Sequence, residues 1–138
     1  MSPPVFPVRA FDARRGLRAL GTFGAVGLGL SGVGVATGLG IPCPWRQLTG
    51  TLCPLCGGTH VGMALLQGDL AGAWAANQLV VGGLVVLVLL GLLWTIEALG
   101  GPAVRPPRSL RGRPGLWWVV IGAVAVVFAV VRNLVPLG

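Results

Sequence analysis

The chain has 138 residues, of which 54% are hydrophobic and only 9% are charged, and its mean hydropathy is +0.87. A soluble domain carries roughly a quarter charged residues, so this composition excludes one. The formal net charge is +7, but no basic stretch is interleaved with aromatic residues as nucleic-acid binding would require, so nucleic acid is excluded as a partner.

The first predicted element is a basic N-terminal segment, residues 1–16, which is rich in proline and arginine and expected to be disordered. A single membrane domain, residues 17–138, follows. Its first apolar run, residues 17–39, is long enough to cross ~30 Å of hydrocarbon as a helix. It is also longer than the roughly 7–15 residues of a signal-peptide core, so it is interpreted as a retained span. Small residues four apart, such as Gly34 and Gly38, predict the close approach of another helix.

The next element is a long loop, residues 41–78, here called the cysteine loop. It begins with a turn-rich stretch and then contains "THVGMALLQ", which predicts a short helix with Thr59 as its N-cap. Asp69 is placed to cap a second short segment that carries Trp74. Both segments are too short to cross a bilayer, so they are expected to be interfacial helices.

Two further apolar runs, residues 79–99 and 116–135, predict the second and third spans, joined by a linker rich in proline and glycine. Eight of the ten arginines precede the first span or lie in that linker. The positive-inside rule therefore places the N-terminus and the linker in the cytoplasm, with the cysteine loop and the C-terminus outside. The predicted fold is an all-α membrane protein with three transmembrane helices and an outward loop that contains the cysteines.

The cysteine loop holds all three cysteines and the only histidine: Cys43, Cys53, Cys56 and His60. Two cysteines two residues apart, with a glycine after the second, suit a metal knuckle, and zinc commonly takes three cysteines and one histidine. Alternatively, a Cys-x-x-Cys before a helix suits thiol–disulfide exchange, with Cys43 attacking or resolving a Cys53–Cys56 disulfide. A third interpretation is a permanent disulfide or buried thiols that only shape the loop.

Other polar residues are expected on the same side of the membrane. The third span runs outward, so Arg132 and Asn133 should lie beside the cysteine loop with Asp69 and Asn77. An arginine at a helix end can extend to the interface, or it can bind Asp69 or loop carbonyls and clamp the loop. The chain shows no nucleophile–base pair, paired carboxylates or phosphate loop, which argues against an enzyme.

The run "CPWRQLTGTLCPLCGGTHVGMALLQGDLAGAWAANQ" resembles a bacterial family of small membrane proteins. Its signature is CP-x4-TG-x2-CP-x-CG-x-TR, followed by Gly-Asp and Asn-Pro, and "RNLVP" resembles the family's ending. The motif positions fall on Cys43, Thr49, Gly50, Cys53, Pro54, Cys56, Gly57, Thr59, Gly68, Asp69, Asn77, Arg132 and Asn133. The family is catalogued as a domain of unknown function. The resemblance implies a multi-pass protein of the bacterial inner or plasma membrane.

Two positions depart from the family signature. His60 replaces the usual arginine, and Gln78 replaces the usual proline. A ligand shared by the whole family could not be His60, so the resemblance favours three cysteines with another ligand, or a disulfide.

Together these observations predict a small accessory or binding subunit in the lipid bilayer, as a homo-oligomer or in a larger membrane complex. Its outward loop would be stapled by zinc or by a disulfide. The alternative function is a membrane thiol–disulfide redox protein that uses the CPLC motif.

Overall fold

The structure, a computed structural model, describes residues 11–104 and 114–135, and in these ranges it is helical without any β-strand. The helices are α1 (Ala13–Thr37), α2 (Pro44–Thr49), α3 (Gly58–Leu66), α4 (Leu70–Ala76), α5 (Gln78–Ala98) and α6 (Pro114–Leu134). Helices α1, α5 and α6 are long and apolar enough to cross a membrane. The predicted all-α membrane fold with three spans is therefore confirmed.

The first helix begins earlier than the sequence predicted. Asp12 is its N-cap, and its Oδ1 accepts a hydrogen bond of 3.0 Å from the backbone N–H of Arg14. Because this cap satisfies an amide of the first turn, residues 13–16 are helical and not disordered. Residues 1–10 of the predicted disordered segment, and residues 105–113 with the four linker arginines, lie outside the described residues.

The three long helices expose their apolar side chains. In the most hydrophobic window of each helix, 11% of the residues are buried in α1 and none in α5 or α6. A helix that is apolar on nearly every side is stable in hydrocarbon. It needs no polar face there, and lipid does not compete for its backbone hydrogen bonds. The lipid bilayer is therefore the environment of this fold.

Helices α1 and α5 are antiparallel neighbours. The rings of Phe11 and Trp94 have centroids 5.1 Å apart. A Cβ added at Gly16 would lie 2.8 Å from Cε3 of Trp94, and one added at Gly91 would lie 3.7 Å from Leu20. The beginning of α1 thus packs beside the end of α5, so the cysteine loop lies at the opposite end of this helix pair.

Helix α3 packs against α1 through small residues. Val61 is fully buried, and Gly62 lies directly against the hydroxyl of Ser31. A Cβ added at Gly34 would lie 2.8 Å from Sδ of Met63. The helix that approaches Gly34 is therefore α3 of the same chain. Gly38 instead ends α1, with a φ of 69° that glycine adopts without strain.

The cysteine loop contains both short helices that the sequence predicted, α3 and α4, and one that it did not, α2. The predicted role of Thr59 as an N-cap is wrong, because Gly57 occupies that position and no side chain caps the helix. Gly57 has a φ of 88°, which turns the chain so that α3 starts at Gly58. Thr59 is therefore a half-buried residue inside the first turn.

Candidate metal centre

The three cysteine sulfurs form a compact group in which all Sγ atoms lie within 4.8 Å of one another. Cys43 Sγ and Cys53 Sγ are 3.4 Å apart, and all three cysteines are free thiols. Zinc–sulfur bonds of ~2.3 Å at tetrahedral angles place two ligand sulfurs about 3.8 Å apart. The group therefore has the spacing that a metal ion requires.

Local sequence explains how each sulfur reaches the group. Pro44 starts α2 and leaves Cys43 as its N-cap in an extended conformation, since proline is well suited to a first helical position. The other two cysteines share one tight turn, in which Cys56 N–H donates to the carbonyl of Cys53 over 3.1 Å. The backbone N–H of Cys53 donates to Cys56 Sγ over 3.2 Å. The CPLC segment thus points two sulfurs to one side.

The surroundings of Cys43 and Cys56 shift the pKa values of these two thiols in opposite directions. The backbone N–H of Arg46, and then the thiols of Cys56 and Cys53, stabilise the thiolate of Cys43 and lower its pKa to about 7. Burial, before any other cause, raises the pKa of Cys56 to about 11. Cys43 therefore ionises before Cys56, and a metal ion or an electrophile would meet it as an anion.

Asn77 connects the CPLC turn to the second span. Its side chain is fully buried, and Nδ2 donates to the carbonyls of Pro54 and Cys56, each over 2.9 Å. Its Oδ1 accepts from the backbone N–H of Val80 over 3.0 Å and so caps α5. One buried amide thus satisfies backbone groups of two elements at once.

Two residues at the end of α6 clamp the loop. Arg132 donates from Nη1 to the carbonyl of Cys56 over 2.8 Å and from Nη2 to the carbonyl of Ala76 over 2.6 Å. Asn133 exchanges two hydrogen bonds of 2.9 Å with the backbone of Leu52. Of the two alternatives for Arg132, the structure shows binding to loop carbonyls. The third span is attached to the cysteine loop by these contacts.

Asp69 lies apart from the sulfur group. Its Oδ1 accepts a hydrogen bond of 2.8 Å from the backbone N–H of Gly72, and Asp69 is the N-cap of α4, as the sequence predicted. Its contribution is therefore local to the α3–α4 turn.

The ring of His60 packs against Gly40, where an added Cβ would lie 2.5 Å from its Cε1. His60 is exposed and lines a cavity beside the cysteines. The group of potential ligand atoms consists of the three sulfurs. The structure therefore brings three of the four predicted metal ligands together and places His60 on the neighbouring wall.

Sequence reasoning missed Arg46 as part of the site, and it named Gly57 only as the glycine of the knuckle and a position of the family motif. A Cβ added at Gly57 would lie 2.9 Å from the carbonyl oxygen of Ala76, the acceptor of Arg132. The signal for Gly57 was its place directly after the CPLC motif, but only the packed structure shows what approaches it. Arg46 was visible in the sequence as the one cation of the cysteine loop.

The model of one protein family matches residues 43–92, and its description is protein of unknown function (DUF2752). Residues 43–92 are similar to that family. The matched segment contains the three cysteines, Asn77 and most of α5, which confirms the resemblance to a family of unknown function. No curated protein and no solved structure gives a significant match.

Proposed function

We propose that the cysteine loop binds one zinc ion through Cys43, Cys53 and Cys56 and that the ion holds the loop in shape. The observation that carries this proposal is the approach of three free sulfurs to within 4.8 Å of one another. Thiolates are soft ligands that favour zinc over hard cations such as magnesium. His60 remains the sequence prediction for the fourth ligand.

Zinc would complete a set of contacts that already acts on the same turn. Asn77 and Arg132 bind the carbonyl of Cys56 from one side, while the metal would bind its sulfur from the other. A loop with little apolar core is ordered effectively by such a staple, because the binding free energy of the metal adds to that of folding. We infer a structural metal centre that fixes the outward ends of the three spans.

We propose further that the protein is an accessory or binding subunit, in a homo-oligomer or a larger membrane complex. One face of α1 supports this role, because a Cβ added at Gly21, Gly24 or Gly27 would have no atom within 4 Å. Small residues on an open face let a partner helix approach closely in lipid. Leu55 and Leu66 of the cysteine loop line the same cavity as these glycines, so the partner would contact both α1 and the loop.

The proposed orientation in the bacterial inner membrane has the N-terminus in the cytoplasm and the cysteine loop outside. It is supported by Arg14, Arg15 and Arg18 at the end of α1 that lies opposite the loop. In intact spheroplasts treated with chelator and reductant, a membrane-impermeant maleimide is expected to label the native cysteines. A single cysteine placed at exposed Val104, in a chain with its native cysteines replaced by serine, should be labelled only after permeabilisation. The reverse pattern would contradict the orientation.

The zinc proposal predicts about one zinc per chain in protein purified without chelator, and three titratable thiols in denaturant before any reductant is added. Elemental analysis and thiol titration on the same sample measure both numbers. Cys53→Ser should lose the metal, since two remaining sulfurs rarely retain a structural ion. If the protein held no metal and one titratable thiol before reduction, a disulfide would replace the zinc site. If it held no metal and three free thiols, both the zinc site and the disulfide would be contradicted.

A second candidate function, thiol–disulfide exchange, is favoured by the 3.4 Å between Cys43 Sγ and Cys53 Sγ. The Cys43 thiolate would attack a partner disulfide and release one partner thiolate. Cys53 would then attack Cys43 sulfur, which forms their disulfide and releases the second partner thiol, so two electrons pass to the partner. Recovery of a mixed disulfide with the Cys53→Ser variant, on Cys43, would favour this function over the metal site.

A further inference from the structure

A cavity of about 650 Å³ adjoins the sulfur group on one side. Cys43 and Cys56 form part of its wall, whereas Cys53 does not. An ion held by three sulfurs has a fourth coordination position to fill, and zinc sites with three protein ligands keep that position for water or an exogenous ligand. The cavity is the space beside two of the three sulfurs from which such a ligand can enter.

The wall of this cavity is positively charged. Arg46 and Arg132 line it, and among the described residues no aspartate or glutamate does. The guanidinium of Arg132 is held at this wall by its hydrogen bonds to the carbonyls of Cys56 and Ala76. Three thiolates and one Zn²⁺ together carry a net charge of −1. The two arginines add +2, so the metal site with its arginines has a net charge of +1. A single additional negative charge would therefore neutralise the whole site.

His60 forms another part of the same wall. Its ring rests on the backbone at Gly40, so the imidazole is positioned at the cavity and not among the sulfurs. An imidazole N–H at that place can donate a hydrogen bond to an anion beside the metal.

We propose that a small oxyanion, through a carboxylate or phosphate oxygen, completes the metal site from this cavity, with Arg46 and Arg132 binding its charge. This inference rests on the proposed zinc site. It makes the centre one that exchanges a ligand with the outside, which a metal closed by four protein ligands does not do. The anion can be a free solute or the phosphate of a lipid headgroup, since both present the same oxygens.

The test uses the full chain loaded with Co²⁺, whose visible bands report on its ligands, in dodecyl maltoside micelles, which contain no phosphate. Titration with inorganic phosphate or acetate is expected to shift those bands in a saturable manner. Arg46→Gln should raise the apparent Kd about tenfold, as the loss of a charge-assisted hydrogen bond predicts. Arg18→Gln, at the far end of α1, serves as the matched control and should leave it unchanged. In phosphatidylglycerol nanodiscs, the shift appears before any phosphate is added if lipid phosphate is the source.

The possible failures separate the two proposals. The anion proposal would be overturned, and the metal site left intact, by a thiolate–cobalt charge-transfer band with visible bands that respond to neither anion in micelles and are the same in phosphatidylglycerol nanodiscs. If His60→Ala then changed the spectrum, His60 would be the fourth ligand. Absence of the charge-transfer band would overturn the metal site, and the anion proposal with it.

Discussion

Asn77→Ala is expected to lower the free energy of unfolding by about 3 kcal/mol. The change removes one donor each from the carbonyls of Pro54 and Cys56, and the acceptor that caps α5. The Cys56 carbonyl keeps its hydrogen bond from Arg132, so the Pro54 carbonyl is the buried group that loses its partner. One buried group left unpaired costs about 1–3 kcal/mol, and a lost N-cap adds about 1 kcal/mol. Unfolding in mixed micelles with increasing SDS, followed by helical circular dichroism, measures the difference.

Asp69→Ala provides the matched control for this prediction. Asp69 also caps a helix, but with one hydrogen bond on an exposed residue. Its loss should lower the free energy of unfolding by about 1 kcal/mol. Equal effects of the two substitutions would mean that Asn77 acts only as a cap and that its bonds to the CPLC turn contribute nothing.

Gly57→Ala is expected to weaken zinc binding by about ten- to a hundredfold, the range typical of changes to the groups that support metal ligands. Position 57 has a φ of 88°, which strains any residue with a Cβ, and that Cβ would lie 2.9 Å from the carbonyl oxygen of Ala76. Relief of the clash must move the CPLC turn away from Ala76 and Arg132. Competition with a chromophoric zinc chelator gives the affinity.

Gly50→Ala separates the two causes of the Gly57 effect. Gly50 has a similar φ of 72°, but an added Cβ there would have no atom within 4 Å. Both variants therefore carry backbone strain of roughly 1–2 kcal/mol, and only Gly57→Ala carries the clash. If Gly50→Ala weakened zinc binding as much as Gly57→Ala, strain alone would explain the result and the close approach to Ala76 would have no role.

The features that the sequence determined by itself are those set by neighbouring residues. Length and hydropathy predicted three spans, and the helices found begin and end within four residues of the predicted limits, as with α5 at Gln78–Ala98 against 79–99. The short helices α3 and α4 follow from local apolar runs and from Asp69 as a cap. Cys53 and Cys56 are separated by two residues, which similarly brings both sulfurs into one turn, because the first and fourth residues of a turn lie close together.

The contacts that build the site were decided by tertiary structure. Arg132 meets the carbonyl of Cys56 from 76 positions away, and Asn133 meets Leu52 from 81 positions away. Such pairings depend on where the end of α6 lies relative to the loop, which no local pattern specifies. The same holds for His60, whose four-residue distance from Cys56 suggested a ligand. Its ring rests on Gly40, because α3 is aligned by the packing of Gly62 against Ser31 and of Met63 against Gly34 of α1. That packing, and not sequence distance, determines where each side chain points.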